Sequence, residues 1–440
     1  MPVGRSARLA FARPEVPVSI SASVPAAPPS DVWIDGKSER GYARSEGMQQ
    51  QFDAAAIRLR EVDGYIDPLD PDHRKQLLAD LALEGGGVKG IGLAGAVLVL
   101  DEAGYSFRRV AGTSAGAIAA CLIAALSKAE RPIPTLRTYL SELKFSNFMP
   151  EGKLHQFLDS LGEPVQRAVN IAILAGRPGL YPGTYLRQWL QPILEDLGVR
   201  TFADLKIDQA ADPGMSLPPE RRYRLVVHVS DITRSQLARL PWDYRYYGLD
   251  SDEQDVVAAV RSSMSIPFFF KPVTVATNAA DIDVPMPDGS TARQHYDAGK
   301  VTWVDGGMLR NFPIGAFDRA DGKPPRWPTI GIKLSSLQTL FPATIASGSA
   351  LGVAIRALHT MMNEWDRYDV EETTAGRTIF VDNAGLVATQ FDLSAEQQNQ
   401  LFLNGVQAAT RFVIEMANNG GVPRTAHQAA VLLTSRLAAR

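Results

Sequence analysis

The sequence predicts an α/β protein built around a largely parallel sheet. From residue 80 onward, short apolar stretches typical of buried strands alternate with longer apolar stretches typical of helices. A glycine-rich turn at 84–90 and a Gly-x-Ser-x-Gly turn at 112–116 each follow such a strand and precede such a helix. Because strand–turn–helix units are the building blocks of parallel sheets, both observations favour the same fold class.

The elements are predicted in order along the chain. Helices are expected at 47–62, 90–104, 115–129 and 393–417, the last capped by Ser394. Strands are expected at 80–84, 107–113, 223–232, 301–304, 329–336 and 377–383. A helical layer without strands is expected at 145–200, and an inserted loop or hairpin at 276–300. The chain is therefore predicted to divide into a disordered arm at 1–45, a helical extension at 46–79, a main domain at 80–418 and a tail at 419–440.

The composition is that of an ordinary globular protein and argues against several functions. The chain has 45 basic and 48 acidic residues, so a nucleic-acid partner is not expected. Cys121 is the single cysteine, which excludes a disulfide framework, and we expect it in the core. No apolar run approaches the about 18 residues of a membrane span, and Pro14 and Pro17 interrupt any signal peptide. We expect a cytoplasmic protein, with export left open.

The glycine-rich turn matches a cofactor fingerprint only in part. Gly85, Gly87 and Gly90 satisfy Gly-x-Gly-x-x-Gly, but a dinucleotide site also needs an acidic residue at the end of the second strand, about 20 residues on. The nearest acidic residues instead fall toward the end of the intervening helix. A P-loop is excluded because Lys89 is followed by glycine rather than by serine or threonine. Consecutive glycines do let several N–H groups point into one space, as an oxyanion hole requires.

The second turn carries a candidate nucleophile. Ser114, between Gly112 and Gly116, has the pattern of a nucleophile elbow, in which a strand ends, the serine takes a strained turn and a helix begins. Small flanking residues are needed because the backbone folds back so tightly. The position of Ser114 at a helix N-terminus favours developing negative charge.

A serine nucleophile requires a proton acceptor, and Asp305 is the best candidate. None of the six histidines lies at a strand end or in a glycine-rich turn, although His359 or His427 would complete a Ser–acid–His order. Asp305 follows a strand and enters the double-glycine turn Gly306–Gly307. An ordinary aspartate has a pKa of about 3.9, so a sole base needs partial burial to raise its basicity while it remains ionised.

The motifs at 84–90, 112–116 and 305–313 resemble, in the same order, those of the patatin-like phospholipases. The patches at 179–190 and 262–273 and the last helix are also similar, so that the resemblance covers roughly 80–418. It implies a three-layer fold with a mostly parallel sheet, helices on both faces and a Ser–Asp dyad without histidine. By position, Ser114 would be the nucleophile, Asp305 the general base, and the N–H groups of Gly85, Gly86 and Gly87 the oxyanion hole. The supporting motif positions are Lys89, Gly90, Gly112, Gly116, Gly306 and Gly307, while Asn311 and Pro313 look structural.

The resemblance implies a lipid acyl hydrolase of the phospholipase A or lysophospholipase type. No cofactor is implied, and no metal is needed because N–H groups would hold the oxyanion. The expected partner is a phospholipid or another fatty-acyl ester at a membrane surface, whereas an activator and the oligomeric state stay open. Lys89 would brace the glycine loop or attract anionic headgroups, unless it is simply a solvated lysine. The alternatives are a soluble esterase or thioesterase with a histidine-containing triad, an activator-gated membrane-degrading effector, and a binding module for a phosphate-bearing ligand.

Two aromatic segments are candidates for contact with a lipid interface. For 268–270, beside Lys271, core packing is the favoured interpretation, whereas for 242–250 the two interpretations are balanced. The region 145–200 is the better candidate for a lid or acyl groove.

Overall fold

The computed structural model describes residues 31–66, 72–148, 179–208, 217–286, 289–319, 324–334, 374–384, 386, 393–425 and 428. Its strands are β1 (Val32–Ile34), β2 (Tyr42–Arg44), β3 (Tyr65–Ile66), β4 (Lys75–Leu83), β5 (Tyr105–Gly112), β6 (Gly179–Tyr181), β7 (Leu225–Asp231), β8 (Gln236–Leu240), β9 (Phe268–Phe270), β10 (Val273–Thr277), β11 (Ala280–Pro285), β12 (Thr291–Tyr296), β13 (Gly299–Asp305), β14 (Thr329–Lys333) and β15 (Thr378–Phe380). Its helices are α1 (Glu46–Asp63), α2 (Ile91–Glu102), α3 (Ala115–Lys128), α4 (Thr135–Glu142), α5 (Thr184–Asp196), α6 (Val256–Ser263), α7 (Gly307–Arg310) and α8 (Ala395–Asn418).

A central sheet organises the described residues in the order β10-β13-β7-β5-β4-β14-β15. Strands β7, β5, β4, β14 and β15 run parallel to one another, whereas β13 and β10 are antiparallel additions at one edge. Strands β3 and β8 pair with β4 and β7 outside that path. The structure therefore has the predicted α/β fold with a mostly parallel central sheet.

The register of β7 explains how two distant turns meet. Strand β5 ends at Gly112, level with Val227 of β7. Strand β13 runs in the opposite direction on the other side of β7 and ends at Asp305, level with Val229. The turns that follow β5 and β13 therefore lie beside the same part of β7.

Helix α2, which follows the glycine loop after β4, and helix α3, which follows the turn after β5, are apolar on every side and are enclosed by packing. Every residue of α2 from Ile91 to Leu100 is buried, as is every residue of α3 from Ala115 to Leu126. Helix α8 packs along α2, and α3 packs on β5 and β7. A helix without a polar face is stable only as part of a core, so both helices form rigid supports behind the turns. Cys121 lies in α3 and is fully buried, as predicted.

The amino-terminal region departs from the sequence prediction. Residues 1–30 lie outside the described residues, but part of the stretch predicted as a disordered arm forms the hairpin of β1 and β2. Arg44 anchors it: its side chain is buried, bonds Glu102 at 2.9 Å and Thr410 at 3.0 Å, and lies 4.0 Å from the Phe52 ring centroid. The prediction of a disordered arm was therefore wrong for 31–45. The Pro- and Arg-rich composition does not indicate that one of its arginines, Arg44, is buried and bonded to Glu102 and Thr410.

Other boundaries are adjusted less. The predicted boundary at 79 falls inside β4, which begins at Lys75. Residues 276–300 contain the antiparallel β11–β12 hairpin, as expected. Most of 145–200 lies outside the described residues, and β6 interrupts the predicted strand-free layer. Among the described helices, none is both long and apolar enough to cross a bilayer.

Candidate active site

Ser114 occupies a strained turn between β5 and α3. Its φ is 53° and its ψ is −123°, a conformation that non-glycine residues rarely adopt. A Cβ atom on Gly112 would lie 2.2 Å from the Gly116 carbonyl oxygen, and one on Gly116 would lie 2.3 Å from the Leu83 carbonyl oxygen. The two flanking glycines are therefore required by close backbone contact, as the elbow pattern predicts.

Asp305 is a buried carboxylate with incomplete hydrogen bonding. Its side chain is fully buried, and its Oδ1 accepts a hydrogen bond from the Gly307 N–H at 2.8 Å. Its Oδ2 is also buried and has no hydrogen-bond partner of ordinary geometry among the described residues. Burial raises the pKa of Asp305 to about 7, against the opposing effects of the Gly307 N–H and the Ser114 side chain. The group can therefore be ionised at neutral pH and still be a useful base.

The structure brings Ser114 and Asp305 together. The Ser114 side chain is close enough to lower the pKa of Asp305 through hydrogen bonding, although Asp305 Oδ2 lacks a well-formed bond. Hydrogen bonds between catalytic groups are often long or misaligned before a substrate binds. The Gly306 position lies against β7, where a Cβ would be 2.2 Å from the His228 carbonyl oxygen. Strand β7 therefore fixes the turn that carries the carboxylate.

The glycine loop offers fewer donors than the sequence suggested. The Gly85 N–H donates to the Asn311 carbonyl oxygen at 3.1 Å, and the Asn311 side-chain amide donates to the Gly85 carbonyl oxygen at 3.1 Å. The expectation of three free donors is corrected at Gly85, whose N–H is already used. Gly86 and Gly87 cap and begin a short 3-10 helix, where N–H groups lack intrahelical partners. Gly87 has a φ of +56°, which glycine adopts without strain.

Two further motif positions behave differently from each other. Lys89 is half-buried, and burial lowers its pKa, with Glu84 opposing and Lys333 adding to the effect. Within the described part of the chain its ammonium group forms no ion pair. A Cβ on Gly90 would meet only the Ala115 Cβ, at an ordinary 3.6 Å. Glycine at position 90 is therefore not required by space, unlike the elbow glycines.

A buried ion pair supports the loop from below. Glu84 Oε1 lies 2.5 Å from the Lys333 ammonium, and Oε2 accepts the Leu334 N–H at 2.5 Å. Their side chains are only 7% and 6% exposed, respectively. The first residue of the loop is thus fixed to the end of β14. The sequence does not indicate this pair beyond a charged residue at the end of each of two apolar strands.

A second missed group contacts the elbow directly. The Ser114 N–H donates to Ser263 Oγ at 2.9 Å, and the Ser263 hydroxyl donates to the His228 carbonyl oxygen at 2.6 Å. Ser263 ends α6 and is fully buried. The patch at 262–273 resembles the family in sequence, but nothing local in it indicates which serine contacts the elbow.

The described histidines do not serve as a base for Ser114. His228 contacts the site through its backbone, while burial lowers the pKa of its ring to about 3 and keeps it neutral. His73 is exposed, and His295 is an exposed residue that bonds Asp281 at 2.9 Å. The remaining candidates, His155, His359 and His427, lie outside the described residues.

The aromatic segments pack mainly into the core. Trp242, Tyr244 and Tyr247 are buried, so an interfacial role for this part of 242–250 is wrong. Phe270 is buried and meets the Phe148 ring edge-on at 5.6 Å between centroids, which confirms core packing at that position. The Phe268 side chain and residues 149–178 lie outside the described part.

Comparison with known proteins identifies the family of this chain. A family model described as patatin-like phospholipase matches residues 81–318, more than half of the chain. The chain belongs to the patatin-like phospholipase family. The uncharacterized protein YqhO of Bacillus subtilis strain 168 is 31% identical over 335 residues, which cover 76% of this chain and 97% of that protein. Family membership supports a lipid hydrolase as the general activity.

Two solved structures show more distant similarity. VipD from Legionella pneumophila has a TM-score of 0.38 and 16% identity, covering 76% of this chain and 66% of that chain. The type III effector ExoU, from Pseudomonas aeruginosa, has a TM-score of 0.34 and 15% identity, covering 78% of this chain. This chain spans only 54% of ExoU.

Proposed function

We propose that this protein hydrolyses fatty-acyl esters of phospholipids at a membrane surface, through a Ser114 acyl-enzyme with Asp305 as the only general base. The observation that carries the proposal is the buried Asp305, which has one unpaired carboxylate oxygen beside the elbow and a pKa of about 7. Buried polar groups are normally satisfied, so a buried carboxylate with one unsatisfied oxygen, in a family of lipid hydrolases, is best explained by a role in the reaction.

In the first step, Asp305 accepts the hydroxyl proton as Ser114 Oγ attacks the ester carbonyl carbon. The resulting tetrahedral intermediate carries a negative oxygen. We assign its stabilisation to the N–H groups of Gly86 and Gly87, because the Gly85 N–H is bonded to Asn311. Gly85 instead leaves room for the Asn311 side chain, since a Cβ there would lie 2.3 Å from Asn311 Oδ1.

Collapse of the intermediate breaks the bond to the leaving alcohol, which takes the proton from Asp305. Acylated Ser114 and a lysophospholipid or other alcohol result. In the second step, the regenerated Asp305 carboxylate accepts a proton from water as the water attacks the acyl carbon. As the bond between the acyl carbon and Ser114 Oγ breaks, Asp305 returns this proton to Ser114 Oγ, and the fatty acid is released. A pKa near 7 suits both halves of this cycle, because the same group must accept and donate a proton.

The test is fatty-acid release from mixed phospholipid vesicles, with matched variants. Ser114→Ala and Asp305→Asn are compared with Ser106→Ala and Asp297→Asn, which alter an exposed serine and an exposed aspartate. We expect both site variants to lose activity by about 10²- to 10⁴-fold or more, and both controls to retain it. A fluorophosphonate should label the wild type and the controls but not Ser114→Ala.

Two results would contradict the proposed function. Full activity in Asp305→Asn would exclude Asp305 as the base and favour a histidine-containing triad, to be sought by His359→Ala and His427→Ala. Absence of both hydrolysis and labelling in the wild type would argue against an enzyme and for a binding module.

A further inference from the structure

One short turn contacts both halves of the proposed dyad. At the end of α6, Ser263 Oγ accepts the Ser114 N–H at 2.9 Å. The backbone carbonyl of Ser263 accepts the Gly306 N–H at 3.3 Å, and that of Ser265 accepts the Asp305 N–H at 3.0 Å. The turn 263–265 therefore holds the main chain of the nucleophile and the main chain of the carboxylate at the same time.

The Ser263 hydroxyl is the only side-chain member of this arrangement. It is fully buried, accepts from Ser114 and donates to the His228 carbonyl oxygen at 2.6 Å. One hydroxyl has one proton, so the direction of both bonds is fixed. The bond to Ser114 also satisfies the N–H of a residue at φ 53°, where the turn itself offers that N–H no partner.

We propose that Ser263 is a positioning residue, which holds the Ser114 hydroxyl against Asp305 by linking the strained elbow to β7. The inference rests on the proposed function, because it concerns how that dyad is aligned. The Ser263 hydroxyl bonds the backbone N–H of Ser114 and the backbone carbonyl of His228, so it would act through the position of Ser114. Without its hydroxyl, the Ser114 N–H and the His228 carbonyl would both lose their partner, and the elbow would relax away from the carboxylate.

The neighbouring Ser262 offers a matched control. It is also buried, at 2% exposed, and it lies in the same helix. Its hydroxyl, however, donates to the Ala258 carbonyl oxygen of its own helix at 2.8 Å. Ser262→Ala therefore removes a buried hydroxyl from α6 without removing a contact to the elbow.

The experiment compares Ser263→Ala, Ser263→Cys and Ser262→Ala in kcat, KM and the pH dependence of kcat. For Ser263→Ala we expect kcat to fall by about 10- to 100-fold with KM little changed, because a small misplacement of reacting groups is enough for such a loss. Its acid limb should also move to higher pH, since the Ser114 side chain normally lowers the pKa of Asp305. Ser262→Ala should match the wild type in both respects.

The other possible results also support or overturn the positioning role of Ser263. Wild-type kcat and acid limb in Ser263→Ala, or equal losses in both alanine variants, would overturn the assignment. If Ser263→Ala does not fold, Ser263→Cys decides, because a thiol of similar size is a weak hydrogen-bond partner: a lower kcat with a shifted limb supports the role and wild-type behaviour overturns it.

If the wild type cleaves no lipid, the proposed function fails by itself. Fluorophosphonate labelling of Ser114 then still tests positioning: slower labelling in Ser263→Ala than in Ser262→Ala supports it, and equal rates or no labelling overturn it.

Discussion

Two buried carboxylates stand at strand ends on either side of the elbow, and their surroundings are opposite. Glu84, after β4, has the Lys333 ammonium on one oxygen and the Leu334 N–H on the other. Asp305, at the end of β13, has the Gly307 N–H on one oxygen and, within the part of the chain that the structure describes, no partner of ordinary geometry on the other. The difference distinguishes a carboxylate that holds the backbone from one that is left available to exchange a proton.

The largest expected effect comes from removing Glu84, the carboxylate whose two oxygens both have partners. Glu84→Ala removes the carboxylate that faces the buried Lys333 ammonium, and such losses cost about 3–5 kcal/mol of unfolding free energy. Urea unfolding measures this cost. The double variant Glu84→Ala/Lys333→Met should recover part of it, because the buried Lys333 ammonium is then gone while the Leu334 N–H still lacks its Glu84 acceptor. A Glu84→Ala protein within about 1 kcal/mol of the wild type would contradict a structural role.

The next effect tests where the two regions touch. A Cβ on Gly116 would lie 2.3 Å from the Leu83 carbonyl oxygen and 2.6 Å from that of Glu84, so Gly116→Ala must displace backbone. We expect a loss of about 1–3 kcal/mol or more in stability and a collapse of Ser114 labelling. Gly90→Ala is the control: with 3.6 Å of room and a helical φ of −55°, it should be neutral or gain about 0.4–1 kcal/mol. Equal damage from both changes would contradict this account of the loop.

The other carboxylate, Asp305, should make the free energy of unfolding depend on pH. Burial raises the pKa of Asp305 from 3.8 to about 7, so between these values the native state holds a proton that the unfolded chain has released. Its stabilising contribution is complete below pH 3.8 and lost by pH 7. Asp305→Asn has no proton to lose, and its stability relative to the wild type should rise from pH 4 to pH 8, by roughly 4 kcal/mol at most. Denaturant unfolding of the two proteins at both pH values checks this, and a constant difference would refute it.

Local patterns predicted what depends on local structure. Ser114 and Asp305 could be selected as candidates because a strand entering a tight glycine turn is visible within ten residues of sequence, and α2 and α3 could be predicted from their apolar length. The general fold followed from the alternation of such units.

Long-range partners were not predictable in the same way. Ser263 is 149 positions from Ser114, Lys333 is 249 from Glu84, and Asn311 is 226 from Gly85. No residue pattern indicated that the Gly85 N–H would be used by Asn311, so the sequence prediction counted Gly85 among the three donors. Arg44 shows the same limit, since only the folded chain brings Glu102 and Thr410 to it.

The most direct test of the account is the rate at which a fluorophosphonate labels Ser114 as a function of pH, in the wild type and in Asp305→Asn. This reaction reports the nucleophile and its base without depending on lipid. In the wild type, the rate should rise with an apparent pKa of about 7, because Asp305 must be ionised to accept the proton. In Asp305→Asn, labelling should be slow and this limb should disappear. A limb near pH 7 that survives unchanged in Asp305→Asn would mean that another group is the base.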